Sequence, residues 1–133
     1  MVETTQKKKI AIIKTGSVAP PVADVYGDFE LWFTNGLGVS PEQVLVVDAP
    51  RGDSLPDPGD FDALLITGSS AMVTDREPWS ENLAAWIRAL FPTEKPVLGV
   101  CYGHQIIADA LGGEVGQNPN GREIGTVQVS FDA

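Results

Sequence analysis

The sequence predicts an α/β protein with three layers, in which a mostly parallel sheet lies between two layers of helices. Short, continuously apolar runs rich in β-branched residues indicate strands that are buried on both faces. Segments with helical periodicity separate these runs, and alternating strands and helices form parallel sheets. The predicted strands are residues 10–13, 44–47, 63–67 and 96–100.

Three helices are predicted from apolar residues spaced three and four positions apart. They cover residues 22–35, a segment that opens at Pro78, and residues 104–111. Trp32 and Trp86 fall on the apolar stripes of the first two helices, which predicts core positions for both.

The two ends of the chain differ in character. Residues 1–8 are polar and predict a disordered tail, whereas residues 9–133 are expected to form one partial domain. From 126 to 131 apolar and polar residues alternate, which predicts a fifth strand with one exposed face.

Composition limits the partners of this chain. It carries 18 acidic and 9 basic side chains, a formal net charge of -9, so a phosphate-binding surface for nucleic acid is not expected. No apolar stretch is long enough to span a membrane, and the run 10–13 is too short for a signal peptide. We therefore expect a cytoplasmic protein.

No metal or cofactor is expected either. The single cysteine excludes an internal disulfide and a cysteine-rich zinc site. The acidic residues between the second and third strands match no calcium-loop spacing and indicate a solvated surface loop. These residues are Asp48, Asp53, Asp57 and Asp60.

The segment Gly99-Val100-Cys101-Tyr102-Gly103 lies between the fourth strand and the last helix. Taken alone, a lone cysteine at a strand end is more often buried filler. In a strand–turn–helix context, however, Gly-x-Cys-x-Gly is typical of a nucleophile elbow. Small residues at 99 and 103 would leave room for the tight turn, and the helix N-terminus would favour the thiolate of Cys101.

The longer segment Pro96-Val97-Leu98-Gly99-Val100-Cys101-Tyr102-Gly103-His104-Gln105, followed by Leu111-Gly112-Gly113, resembles class I glutamine amidotransferases, in particular the glutaminase branch of GMP synthase. Leu64-Leu65-Ile66-Thr67-Gly68-Ser69 resembles the oxyanion strand of that family. Asn118-Pro119-Asn120-Gly121-Arg122-Glu123-Ile124-Gly125 resembles the segment after its nucleophile helix. The resemblance implies a flavodoxin-like sheet, here truncated at its C-terminal side.

The resemblance also implies glutamine hydrolysis through a thioester on Cys101, with glutamate and ammonia as products. The N–H groups of Gly68 and Tyr102 would form the oxyanion hole. Gln105 would contribute to the glutamine pocket. Gly99, Gly103 and His104 would be structural parts of the elbow.

The catalytic base of the family is a distant histidine in a His-x-Glu pair, which this sequence does not contain. His104 is the single histidine and lies on the first turn of the nucleophile helix, so a structural role is expected for it. The 133-residue chain is therefore expected to be inactive alone. Val127, Val129 and Phe131 would expose apolar surface and favour self-association; a synthetase is the other expected partner.

Two alternatives remain open at this point. One is a non-catalytic module that binds glutamine or regulates a partner. The other is a cysteine hydrolase related to intracellular proteases, in which histidine often follows the cysteine; Tyr102 argues against it.

Overall fold

The computed structural model describes residues 7–132. Its strands are β1 (Ile10–Lys14), β2 (Val44–Asp48), β3 (Ala63–Ile66) and β4 (Val97–Gly99). Its helices are α1 (Pro20–Tyr26), α2 (Phe29–Leu37), α3 (Pro78–Leu90) and α4 (Tyr102–Ala110). Short 3-10 turns lie at Pro41–Gln43, Pro58–Asp60, Val73–Asp75 and Phe91–Thr93.

The four strands form one parallel sheet in the order β2-β1-β3-β4. This confirms the predicted α/β architecture with a parallel sheet. Helices α3 and α4 pack together over one face, where they bury Leu83, Ile87 and Ile106 against Ile13 and Ile66. In the central strands, the residues that alternate with Ile13 and Ile66 point to the opposite face of the sheet. On that face α2 contacts β1.

The first predicted helix, 22–35, is divided in two. Gly27 has φ 77°, which ends α1, and the Asp28 carboxylate accepts a hydrogen bond from the N–H of Phe29 and begins α2. The prediction of a core position for Trp32 was wrong. The residue is 40% exposed, and the buried residue of α2 is Thr34, which lies off the predicted apolar stripe.

Trp86 lies at the border of the core. It is half-buried, packs 5.9 Å from the Phe61 ring centroid and donates a hydrogen bond from Nε1 to Pro56 O at 3.0 Å. The core position predicted for it therefore holds only in part.

The predicted fifth strand at 126–131 is wrong. These residues have no strand structure and are exposed, with Phe131 90% accessible. Alternation of apolar and polar residues predicts a strand only where a partner strand supplies hydrogen bonds, and in the described part of the chain no strand pairs with this segment. Of the predicted tail 1–8, residues 1–6 lie outside the described residues, and Lys7 and Lys8 are exposed without secondary structure.

A buried ion cluster fixes the first loop at the carboxyl edge of the sheet. Lys14 Nζ lies 3.0 Å from Asp28 Oδ2 and 3.1 Å from Glu30 Oε2. Asp28 Oδ1 accepts hydrogen bonds from the N–H groups of Val18 and Phe29 at 3.1 and 2.7 Å. One carboxylate therefore ties the end of β1, the following loop and the start of α2 together.

These contacts shift the titration of both partners. Burial opposes ionisation of Asp28, but the two backbone N–H groups and Lys14 outweigh it and lower its pKa to about 2. For Lys14, burial lowers the pKa, whereas hydrogen bonds to Asp28 and Glu30 outweigh burial and raise it. Both groups are therefore held in the charged state at neutral pH.

We predict that Asp28 gives the fold an acid-dependent stability. Because its folded pKa of about 2 lies below the ordinary value of 3.8, its contribution is complete above that ordinary value and is lost as the pH falls through about 2. Asp28→Asn should cost about 2 kcal/mol at neutral pH, and the cost should shrink with acidification. Urea unfolding of both proteins from neutral pH down to about pH 2 measures it.

The matched control is Asp57→Asn, which changes an exposed carboxylate at the N-cap of the 3-10 turn Pro58–Asp60, where its side chain makes no capping hydrogen bond. Its effect on the free energy of unfolding should be small at every pH. An Asp28→Asn cost that stays constant across the titration would contradict the assignment.

Candidate active site

Cys101 lies at the turn between β4 and α4, where it is the N-cap residue of the helix. Its backbone has φ 52° and ψ -107°, a combination that non-glycine residues rarely adopt. Such strain persists where the surrounding structure forces it and is concentrated at functional sites. The side chain is exposed, so the sulfur is presented to solvent at the carboxyl edge of the sheet.

The glycines on both sides of Cys101 allow this turn because backbone passes close to them. A Cβ on Gly99 would lie 2.6 Å from the carbonyl carbon of Gly103. A Cβ on Gly103 would collide with the carbonyl oxygen of Ile66 in β3. Both positions therefore exclude any side chain, as expected for a nucleophile elbow.

Gly68 follows β3 and lies beside Cys101. A Cβ built on it would be 3.5 Å from the Cβ of Cys101 and 3.8 Å from Val100 O. Within residues 7–132, neither the N–H of Gly68 nor the N–H of Tyr102 donates a backbone hydrogen bond. The two N–H groups that the sequence marked as oxyanion donors are thus unpaired and flank the cysteine.

Thr15 sets the orientation of the Gly68 peptide. Its hydroxyl donates to the carbonyl oxygens of Thr67 and Gly68 at 2.7 and 3.1 Å, and its N–H donates to Thr67 Oγ1 at 3.1 Å. In a trans peptide the N–H points away from the preceding carbonyl oxygen, so these bonds turn the N–H of Gly68 away from Thr15. Thr15 was not among the predicted site residues, although its position directly after β1, at the carboxyl edge of the sheet, is one where ligand-binding residues are expected.

Tyr102 anchors the first turn of α4. Its ring is buried, stacks on Trp79 at 5.5 Å between centroids, and its hydroxyl shares a 2.6 Å hydrogen bond with Ser80 Oγ of α3. Burial raises the pKa of the Tyr102 phenol. Ser80 was not predicted from the sequence as a site residue, because its partner Tyr102 lies on another helix.

A cleft of about 500 Å³ opens beside Cys101 and Gly68. Its other walls come from the loop after β1 and from α1 and α2, mainly through Val18, Phe29 and Phe33. None of these three residues was marked as a site residue from the sequence, because they became neighbours of Cys101 only through the strand order.

Gln105 lies one helical turn after Cys101 and does not line this cleft. It lines a second cavity of about 630 Å³, together with Val73 and residues 115–118 and 121–123. The segment 118–125 that resembles the family therefore meets Gln105, although not in the same cavity as the sulfur.

His104 is exposed on the first turn of α4. Among residues 7–132 no side chain hydrogen-bonds to the His104 ring or to the sulfur of Cys101. The described part of the chain also holds no group of three or more histidine, cysteine, aspartate or glutamate side chains able to bind a metal ion. No helix in residues 7–132 is both long and apolar enough to cross a membrane.

The fold and the elbow define the class of this protein, an α/β protein with a cysteine at the carboxyl edge of its parallel sheet. Comparison with known proteins identifies the family within this class. The model of the family "Glutamine amidotransferase class-I" matches residues 22–132. The chain belongs to the class I glutamine amidotransferase family, as its elbow segment indicated.

Relatives in this family carry different names. Gamma-glutamyl peptidase 3 of Arabidopsis thaliana is 30% identical over 134 aligned residues, which are 98% of this chain and 53% of that protein. A glutamine-hydrolyzing GMP synthase subunit of Ignicoccus hospitalis is 36% identical over 77 residues, 58% of this chain and 38% of that protein. The chain thus spans about half or less of the length of these relatives.

Solved structures agree with the fold. A glutamine amido transferase from Methylobacillus flagellatus matches 86% of this chain and 43% of its own with a TM-score of 0.63 and 29% identity. A glutamine amidotransferase from Thermotoga maritima matches 90% of this chain and 50% of its own with a TM-score of 0.66, and at 21% identity it supports the fold alone.

We predict that Gly103→Ala destabilises the fold, because the methyl group would collide with Ile66 O in the central sheet. The cost should be about 1–3 kcal/mol or more, as for overpacked cores. Gly36→Ala is the matched control, since this glycine lies in α2 with no atom within 4 Å of an added Cβ. That variant should be neutral or stabilised by up to about 1 kcal/mol, and chemical denaturation of both variants compares them.

Proposed function

We propose that this chain carries the nucleophile of an amidase that hydrolyses the side-chain amide of glutamine. The observation that supports this best is the exposed Cys101 at a strained elbow, flanked by the unpaired N–H groups of Gly68 and Tyr102. A thiol alone is common in proteins, whereas a thiol beside two unpaired N–H donors is suited to acyl transfer.

In the proposed reaction the thiolate of Cys101 attacks the amide carbon of glutamine. The carbonyl oxygen becomes an oxyanion that accepts hydrogen bonds from Gly68 and Tyr102. The C–N bond then breaks, the nitrogen takes up a proton and leaves as ammonia, and a glutamyl thioester remains. Water attacks this thioester, which frees glutamate and returns the thiol.

Two features of the site support the proposed reaction. Cys101 is the N-cap residue of α4, so the oxyanion that forms beside it lies near the positive end of the helix dipole. Thr15 holds the Gly68 peptide rigidly, so the donor needs no reorganisation when the oxyanion forms. We propose that Gln105 contacts the glutamyl group of the substrate in the cavity that it lines with residues 121–123.

The proposed reaction requires a base that accepts the thiol proton of Cys101. His104 is the single histidine of the chain, and no side chain of residues 7–132 hydrogen-bonds to Cys101. We propose that the proton acceptor comes from outside the described residues or from a partner protein. A synthetase that consumes the ammonia is one such partner, in keeping with the similarity to a GMP synthase component. The cytoplasmic location stays a prediction.

Covalent labelling tests the nucleophile and glutamine recognition together. The probe is glutamine with its amide replaced by a chloromethyl ketone, which forms a thioether with Cys101 as chloride leaves and the thiol proton passes to solvent. We expect single labelling by intact mass, protection by free glutamine, and no labelling of Cys101→Ala. An analogue without the α-amino and α-carboxyl groups controls for simple thiol reactivity.

Labelling of Cys101 that saturating glutamine does not slow would contradict the proposal. Ammonia release from glutamine is measured on the same samples; we expect none from the chain alone and a Cys101-dependent rise when imidazole supplies a base. Protection by glutamine without turnover in imidazole would favour the alternative function, a glutamine-binding or regulatory module.

Self-association of the chain remains a prediction, and it is independent of the proposed hydrolysis. Val127, Val129 and Phe131 are 53%, 65% and 90% exposed, and exposed apolar segments favour contact with a second copy. Light scattering over a concentration series should show a mass that rises above one chain, and replacing the three residues by serine should abolish the rise. A constant monomeric mass at the highest concentration would contradict it.

A further inference from the structure

The cleft beside Cys101 is far larger than ammonia requires. Its volume is about 500 Å³ and it is open to solvent, whereas a water-sized molecule occupies about 30 Å³. Among its lining residues, Val18, Val22, Phe29 and Phe33 present side chains that offer no hydrogen bond. Its size and its apolar walls therefore fit an organic group better than they fit ammonia.

The aromatic wall is held in place before any ligand arrives. Phe29 and Phe33 are one helical turn apart on α2 and share a face. The ring of Phe29 meets that of Trp32 edge-on at 5.6 Å and 85°. Trp32 is fixed in turn by a 2.7 Å hydrogen bond from Nε1 to Tyr26 O. A preformed wall loses little conformational entropy on binding.

The walls of the cleft away from the N-terminus of α4 disfavour an anionic ligand. Among residues 7–132, no lysine, arginine or histidine lines the cleft. Lys14, at the end of β1, is buried and engaged by Asp28 and Glu30, so that cluster has a formal charge of -1. A carboxylate entering the cleft would lose water without gaining a cation.

We propose, on the basis of the proposed function, that this cleft binds the amine side of the scissile amide and selects apolar, uncharged amines. The substrate class is then γ-glutamyl amides of aryl or alkyl amines, in preference to glutamine itself or to γ-glutamyl amino acids. The glutamyl chain extends from Cys101 along the first turn of α4 towards Gln105, whose N–H donates to Cys101 O and whose side chain lines the second cavity with Arg122.

The chemistry differs from glutamine hydrolysis only in the leaving group. Cys101 sulfur bonds to the amide carbon, the C–N bond breaks, and the amine takes up a proton and leaves into the cleft. Phe33 and Val22 act as specificity residues, because they contact the organic group of the amine and not the reacting atoms.

Alkylation of Cys101 tests the cleft without requiring turnover. The probes are 2-chloroacetamide, N-benzyl-2-chloroacetamide and N-chloroacetylglycine, each forming a thioether as chloride leaves and the thiol proton passes to solvent. Rates on the protein are divided by rates on free N-acetylcysteine to remove intrinsic reactivity. We expect the benzyl probe to be favoured about 10-fold or more over both others.

Phe33→Ala should lower the benzyl preference several-fold, measured as the ratio of the normalised rates of N-benzyl-2-chloroacetamide and 2-chloroacetamide on the same variant. Phe91→Ala is the matched control, because Phe91 is an exposed aromatic residue outside the cleft. Val22→Asp is a second variant at a position that is 38% exposed, so it should fold if Phe33→Ala does not, and its carboxylate should also lower the preference.

Normalised rates that are equal for the three probes, or a preference that survives both cleft variants, would overturn the proposal. Failure of the proposed function would look different. In that case glutamine would not protect Cys101 from the glutamyl chloromethyl ketone, whereas the benzyl preference would persist. Protection by glutamine with no benzyl preference would leave the function standing and remove only the amine specificity.

Discussion

The site depends on one steric constraint, the close approach of the α4 N-terminus to the end of β3. Gly103 lies so near Ile66 O that no side chain fits, and Gly99 lies equally near Gly103. This contact forces the backbone of Cys101 to φ 52° and lifts its side chain out of the sheet edge. The strain is maintained because the buried Tyr102 and Ile106 hold α4 in place.

Around this elbow the loops that follow adjacent strands supply the other parts. Thr15, after β1, orients the peptide of Gly68, after β3, and Cys101 follows β4. Parallel strands bring these loops to a single edge of the sheet, which is why open α/β folds place their ligands there. The ion cluster of Lys14, Asp28 and Glu30 fixes the same edge from the side of α2.

In the proposed reaction, backbone groups at the elbow act on the reacting atoms, whereas the two cavities determine which substrate binds. The strained elbow and the unpaired N–H groups are backbone features, and they suit acyl transfer whatever the amine is. The two cavities differ in their charged residues. Arg122 and Glu123 line the Gln105 cavity beside apolar residues. Among residues 7–132 no charged side chain lines the cleft, where apolar side chains such as Phe29 and Phe33 stand beside the hydroxyls of Ser17, Ser69 and Ser70. A gamma-glutamyl peptidase and a glutamine-hydrolyzing GMP synthase subunit are both similar to this chain. Under the proposed function, a change in the cleft alone would change the leaving group.

The sequence by itself determined the local features. Continuous apolar runs predicted the four strands, and Gly-x-Cys-x-Gly between a strand and a helix predicted the elbow, because both are set by residues adjacent along the chain. Only the tertiary structure decided the break at Gly27, the exposure of Trp32 and the loss of the strand at 126–131. It alone also brought Thr15, Phe33 and Ser80 to the site, since those contacts join residues far apart in sequence whose proximity depends on strand order and helix packing.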